Sequence, residues 1–134
     1  MNPKTEITSR SSKIGYWAAT GSAALAFAIP GAANLAHASH IAQDMAHLGY
    51  PAYFMTILGT WKILAAVTVL APGFPRLKEW AYAGMIFDLT GAAVSRAAMG
   101  DGAILAIIPL LIASVVLTSW ALRPEERMLK KQIT

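Results

Sequence analysis

Between Ile14 and Leu122 the chain consists of four apolar runs, at about 14–36, 52–71, 77–97 and 103–122, divided by short polar breaks. Each run approaches the ~20 residues that a helix needs to cross ~30 Å of hydrocarbon. Helices are required at that depth, because every backbone group left unpaired in lipid is heavily penalised. The expected fold is therefore all-α: one integral membrane four-helix bundle over residues 1–134. Composition agrees, with 56% of residues hydrophobic and only 13% charged, where a soluble domain has about a quarter charged. Cysteine is absent, which removes dithiol chemistry, iron–sulfur clusters and thiolate metal sites.

The breaks carry their own punctuation. "APGFPR" at 71–76 contains two prolines and a glycine and reads as a tight hairpin between the second and third runs. Pro75 suits the first turn of the third helix, where its missing N–H is no loss, and Glu79 falls near that helix's positive end. "MGDG" at 99–102 is a short turn before the fourth run.

Loop charges orient the bundle. Lys4, Arg10 and Lys13 precede the first run, Arg76 and Lys78 lie by the hairpin, and Arg123, Arg127, Lys130 and Lys131 follow the fourth. The opposite side has only Arg96. By the positive-inside rule both termini are expected in the cytoplasm. Trp17, Trp80 and Trp120 fall at the same boundary, as an aromatic belt does. The net charge of +4 thus follows from topology and does not point to nucleic acid. "AHA" at 36–38 after an apolar run resembles a signal-peptide cleavage site. A run of 23 residues from Ile14 to Ala36 is long for a signal core, and an uncleaved span is expected.

Residues 37–51, "HASHIAQDMAHLGYP", hold all three histidines. On a helix, His37, His40, Asp44 and His47 fall within about an 80° stripe, with Ala38, Ile41, Met45 and Leu48 on another face. This amphipathic connector reads as a short interfacial helix on the non-cytoplasmic side, apolar face toward the lipid. Its stripe admits three readings. It could be the solvated face that any interfacial helix needs. It could hold zinc or another borderline divalent ion, or sense protons, since histidine titrates near pH ~6.5. No second ligand cluster elsewhere favours the metal.

Two ionisable residues lie well inside the runs, Lys62 in the second and Asp88 in the third. Each costs at least ~2.5–3.5 kcal/mol at mid-span on insertion scales. Lys62 is nine residues from Ala71 and Asp88 eleven beyond Leu77. At ~1.5 Å per residue these are depths of about 14 and 16 Å on antiparallel neighbours. From mid-span a lysine is too short to snorkel to the boundary, so a Lys62–Asp88 ion pair is expected. The pair either fixes helix register or forms the polar floor of a small-molecule pocket. Ala81, Gly84, Asp88, Gly91, Ala92 and Ser95 share one face, a strip of small residues that could let a helix approach closely or leave room for a ligand. Trp61, Asn34, Tyr82, Gly84 and Gly91 are the candidate lining residues. Asn34 follows Pro30 by four residues, where a kink is expected. Arg96 could meet a lipid phosphate or Asp101.

Residues 48–101 resemble the DoxX-like family of small four-helix bacterial membrane proteins. The resemblance rests on "LGYP", "LGTWK", the stretch from Pro72 to Gly84 with its "PRLKEWAYAG", and "GA" followed by a closing "GD"; over the first run it is loose. It implies an inner-membrane bundle with cytoplasmic termini and an association, in some relatives, with quinol-oxidase, redox or oxidative-stress systems. Lys62, Glu79, Tyr82, Asp88 and Asp101 match motif positions, to which the family assigns no catalytic role. Relatives often carry a histidine where this chain has Arg96, which weakens a histidine ligand site at that end.

The favoured function is a quinone- or small-lipophile-binding component of a membrane redox system. No haem, flavin or metal signature lies within the runs, so a membrane redox partner would supply the redox centre. One alternative is a small-solute transporter acting as a dimer, and a homo-oligomer is compatible with either reading. Such a transporter relies on an unpaired membrane carboxylate, which Lys62 would quench. Another is a non-catalytic assembly factor for membrane proteins. No phosphate loop, nucleophile–base pair or nucleic-acid module is present, so soluble enzyme classes are not credible.

Overall fold

Proline, glycine and a capping asparagine set where the helices begin and end. The computed structural model describes residues 2–129; Lys130 and Lys131, part of the charge count that orients the termini, lie outside them. Helix α1 runs Pro3–Leu35, α2 Ser39–Leu48, α3 Tyr53–Leu70, α4 Pro75–Ala98 and α5 Ala103–Ala121, followed by a 3-10 turn at Glu125–Arg127. No strand occurs among the described residues. Asn2 caps α1, its side chain accepting from Lys4 N at 3.2 Å, with Pro3 in the first turn. Helix α1 therefore starts well before residue 14, where the apolar run begins. Hydropathy marks where lipid contact starts, whereas the polar residues before it are helical and exposed. Its 33 residues span about 50 Å, more than the hydrocarbon alone.

Three helices, α1, α3 and α5, are long and apolar enough to cross a membrane. Helix α4 has 24 residues and sufficient length but is less apolar, with Asp88 and Arg96 within it and Arg76, Lys78 and Glu79 in its first turns. Helices α1 and α4 each pack against both α3 and α5. The shared core is made of Ala23, Ala24, Phe27, Ala66, Met85 and Val116. Large apolar side chains such as Ile57, Leu64, Val67, Val94, Ile104 and Leu111 remain exposed along the outer faces. A water-soluble chain rarely leaves so extended an apolar surface uncovered.

Helices α1 and α3 approach closely at Gly59. A Cβ built on Gly59 would stand 2.8 Å from Gly31 O and 2.9 Å from Leu35 N, so only glycine fits there. The small-residue strip expected on α4 plays no such part. Gly84 and Gly91 are exposed, with nothing within 4 Å of a Cβ built on either. Residue spacing locates small side chains on a face but not the neighbour that face meets.

The hairpin between α3 and α4 is held from within. Phe74, forced out of the right-handed helical region by the following Pro75, adopts φ 53°. Lys78 is fully buried and donates from Nζ to Ala71 O and, at 2.7 Å, to Gly73 O. The same ammonium that counts toward membrane orientation thus satisfies carbonyls left open at the end of α3.

Candidate functional site

Helical spacing on α3 and α4 gathers apolar side chains around two charges. A cleft of about 560 Å³ lies between these helices, within the roughly 300–1,000 Å³ typical of small-molecule sites. Trp61, Trp80 and Phe87 stand at its exposed rim, and Phe27 and Met85 close it from below. Lys62 and Asp88 lie deeper than the rim, their side chains 18% and 23% exposed, with Nζ 3.8 Å from Oδ2. Equal depth on antiparallel neighbours places them at one level. An ammonium and a carboxylate in such surroundings attract each other strongly, yet each keeps hydrogen-bonding capacity that an apolar wall cannot meet.

Of the expected lining residues, Trp61 and Gly84 border this cleft. Asn34, Tyr82 and Gly91 do not. Asn34 is buried on α1, where Nδ2 donates to Pro30 O at 2.8 Å and Oδ1 has no partner among the described residues. The helix continues through Pro30. Tyr82 points into the core, where its hydroxyl pairs with Ser119 Oγ at 2.7 Å and Ser119 pairs in turn with Thr20 Oγ1 at 2.5 Å. This buried chain of hydroxyls ties α1, α4 and α5 together. Gly91 faces outward. Trp80, Phe87 and Met85 were not among the lining residues expected from the sequence, although steps of three, four, seven and eight residues back along the helix from Asp88 lead to Met85, Gly84, Ala81 and Trp80.

The histidine stripe behaves differently from a ligand set. His37 Nε2 pairs with Thr56 Oγ1 at 2.9 Å, Asp44 Oδ2 accepts from Arg96 Nη2 at 2.7 Å, and His47 Nε2 reaches Asp101 Oδ1 at 2.6 Å. His40 is exposed. Among the described residues no group of three or more histidine or acidic side chains is placed to hold a metal ion. The inner members of the stripe grip the end of α4 instead of facing only solvent. Gly100, at φ 71°, lets the chain turn back so that Asp101 N donates to Arg96 O. That turn sets Asp101 Oδ2 3.1 Å from Arg96 Nη1. Arg96 therefore meets Asp101, as one reading of the sequence expected, and Asp44 as well.

His47 chiefly, and Arg96 after it, hold the Asp101 carboxyl below the usual carboxylate range. A carboxyl lowered on folding stabilises above its unfolded value of about 3.9 and loses that contribution as the pH falls through the lower folded value. Amide-exchange protection of residues 39–48, corrected for intrinsic rates, is expected to drop below about pH 4 and to be several-fold weaker at neutral pH in Asp101→Asn. Protection that persists unchanged at pH 3, or in Asp101→Asn, would show that this network does not fasten α2.

At the opposite end, Glu79 accepts from Arg123 Nη1 and, at 3.1 Å, from Trp120 Nε1. Arg127 donates to Val69 O at 3.0 Å and stacks over Trp17. These contacts tie the chain after α5 to α1, α3 and α4.

A sequence model described as the DoxX-like family matches residues 18–119, including the first run, where the resemblance read from motifs is loose. No curated protein and no solved structure matches the chain.

Proposed function

The chain belongs to the DoxX-like family, and on that premise we propose that it is a four-helix bundle of the bacterial inner membrane that binds a quinone or another small lipophile from the bilayer. Both termini face the cytoplasm in this reading, since Lys13, Arg76, Arg123 and Arg127 all belong to the same ends of the helices. The observation that carries the proposal is the α3/α4 cleft of about 560 Å³ with Lys62 and Asp88 beneath aromatic walls. A rim of Trp61, Trp80 and Phe87 offers stacking surface to a ring or a polyprenyl tail. The ion pair below offers the few polar contacts that fix orientation in an otherwise apolar site. With the charges already paired, the carboxylate is poorly suited to exchanging protons for cations, so transport is the weaker reading. Chemistry on the ligand is assigned to a membrane redox partner, and this protein's part is to bind and present it.

Protein extracted in mild detergent is expected to carry a quinone or another isoprenoid at a fraction approaching one per chain, measured by mass spectrometry. The Lys62→Met, Asp88→Leu double variant is expected to retain much less. Bulk phospholipid alone, in both proteins, would contradict the proposal.

A further inference from the structure

We propose that the head group taken by the α3/α4 cleft is a hydroxyl, seated against Lys62 and Asp88 so that its oxygen accepts from Nζ while its proton is donated to Oδ2. This rests on the cleft being the binding site, as proposed above. At 3.8 Å the ammonium and carboxylate are close enough to attract but too far apart to hydrogen-bond each other. Lysine can only donate and an ionised carboxylate can only accept. The small group that serves both at once is one that accepts on one side and donates on the other. A hydroxyl oxygen about 2.8 Å from each atom fits beside a gap of that length.

The other head-group chemistries fit less well. A quinone carbonyl only accepts, so it serves Lys62 and leaves Asp88 without a donor. An ammonium would be repelled by Lys62 and a carboxylate or phosphate by Asp88, with little solvent to screen either. A neutral alcohol or phenol is repelled by neither. Two sources share that chemistry: the reduced, dihydroxy form of a quinone, and a free isoprenoid alcohol.

Equilibrium binding to the full chain in lipid nanodiscs, corrected for empty discs and kept free of oxygen, separates them. The probes are tritiated decylhydroquinone and geranylgeraniol, their methyl ethers, and decylbenzoquinone. At least one hydroxylated probe is expected to bind about tenfold more tightly than its ether, the loss typical of a buried polar group left without its partner. If that probe is the hydroquinone, the benzoquinone should bind like the ether. The better binder of the two hydroxylated probes identifies the source. In the Lys62→Met, Asp88→Leu double variant the preference should fall to about one while the ethers still bind. Hydroxyl and ether forms that bind the native protein alike would overturn the hydroxyl assignment and leave the cleft reading intact. If no probe binds above the level of empty discs, or if Trp61→Ala with Phe87→Ala leaves all binding unchanged, the cleft reading fails and this inference with it.

Discussion

Lys62→Met alone is expected to lower the stability of the protein in detergent by about 3 kcal/mol, whereas Lys62→Met combined with Asp88→Leu should cost about 1 kcal/mol or less. The asymmetry comes from what each change leaves behind. The single substitution strands Asp88 inside the helices with its countercharge gone, and the carboxyl must either stay charged in an apolar site or take up a proton. The double substitution removes both charges and fills the same space with apolar atoms, which in buried sites is often neutral or stabilising. Asp88→Leu alone should resemble Lys62→Met, because an ammonium at mid-span has no short route to water. Thermal or denaturant unfolding in mixed micelles measures all three. Two single variants that each behave like the native protein would mean that neither charge is confined as the 3.8 Å contact requires.

The second large effect lies on the other side of α3. Gly59→Ala is expected to destabilise by about 1–3 kcal/mol, as overpacking does, and Gly59→Leu by more. The added Cβ would stand 2.8 Å from Gly31 O and from Leu35 Cγ. The backbone atoms cannot move aside without parting α1 from α3. Gly91→Ala provides the contrast. Nothing lies within 4 Å of its added Cβ, and alanine is the better helix former by up to about 1 kcal/mol. That variant should be neutral or slightly more stable. Unfolding midpoints that fall equally for Gly59→Ala and Gly91→Ala would show that the α4 strip packs after all and that the α1–α3 approach is not special.

Helix number and rough extent were legible because apolar runs of membrane length and their proline–glycine breaks leave little choice. The meeting of Lys62 with Asp88 was legible for a related reason. A tight hairpin makes two helices antiparallel, and counting residues from it fixes depth on both. What could not be read was azimuth. The small residues around Asp88 admitted either a packing face or room for a ligand; Ala81 and Gly84 border the cleft, as the second reading has it, whereas Gly91 faces outward. The glycine that does permit close contact, Gly59, sits in "LGTWK" without a glycine, alanine or serine three or four residues away to mark a strip. Tyr82 was drawn toward the pocket by its neighbours in sequence, although its hydroxyl is needed by Ser119 in the core. The docking of α2 was hidden by distance along the chain. Asp44 and Arg96 are 52 residues apart, and an amphipathic pattern shows which face is polar without saying what that face will meet.

Whether two opposite charges from α3 and α4 meet in the cleft is tested most directly by the coupling free energy from the four-protein cycle of native, Lys62→Met, Asp88→Leu and the double variant, unfolded reversibly in mixed micelles. A coupling of about 5 kcal/mol in favour of the pair, which follows from single losses of about 3 kcal/mol and a double loss of about 1, is the predicted result; additivity within about 0.5 kcal/mol would mean that the two side chains act independently and would contradict it.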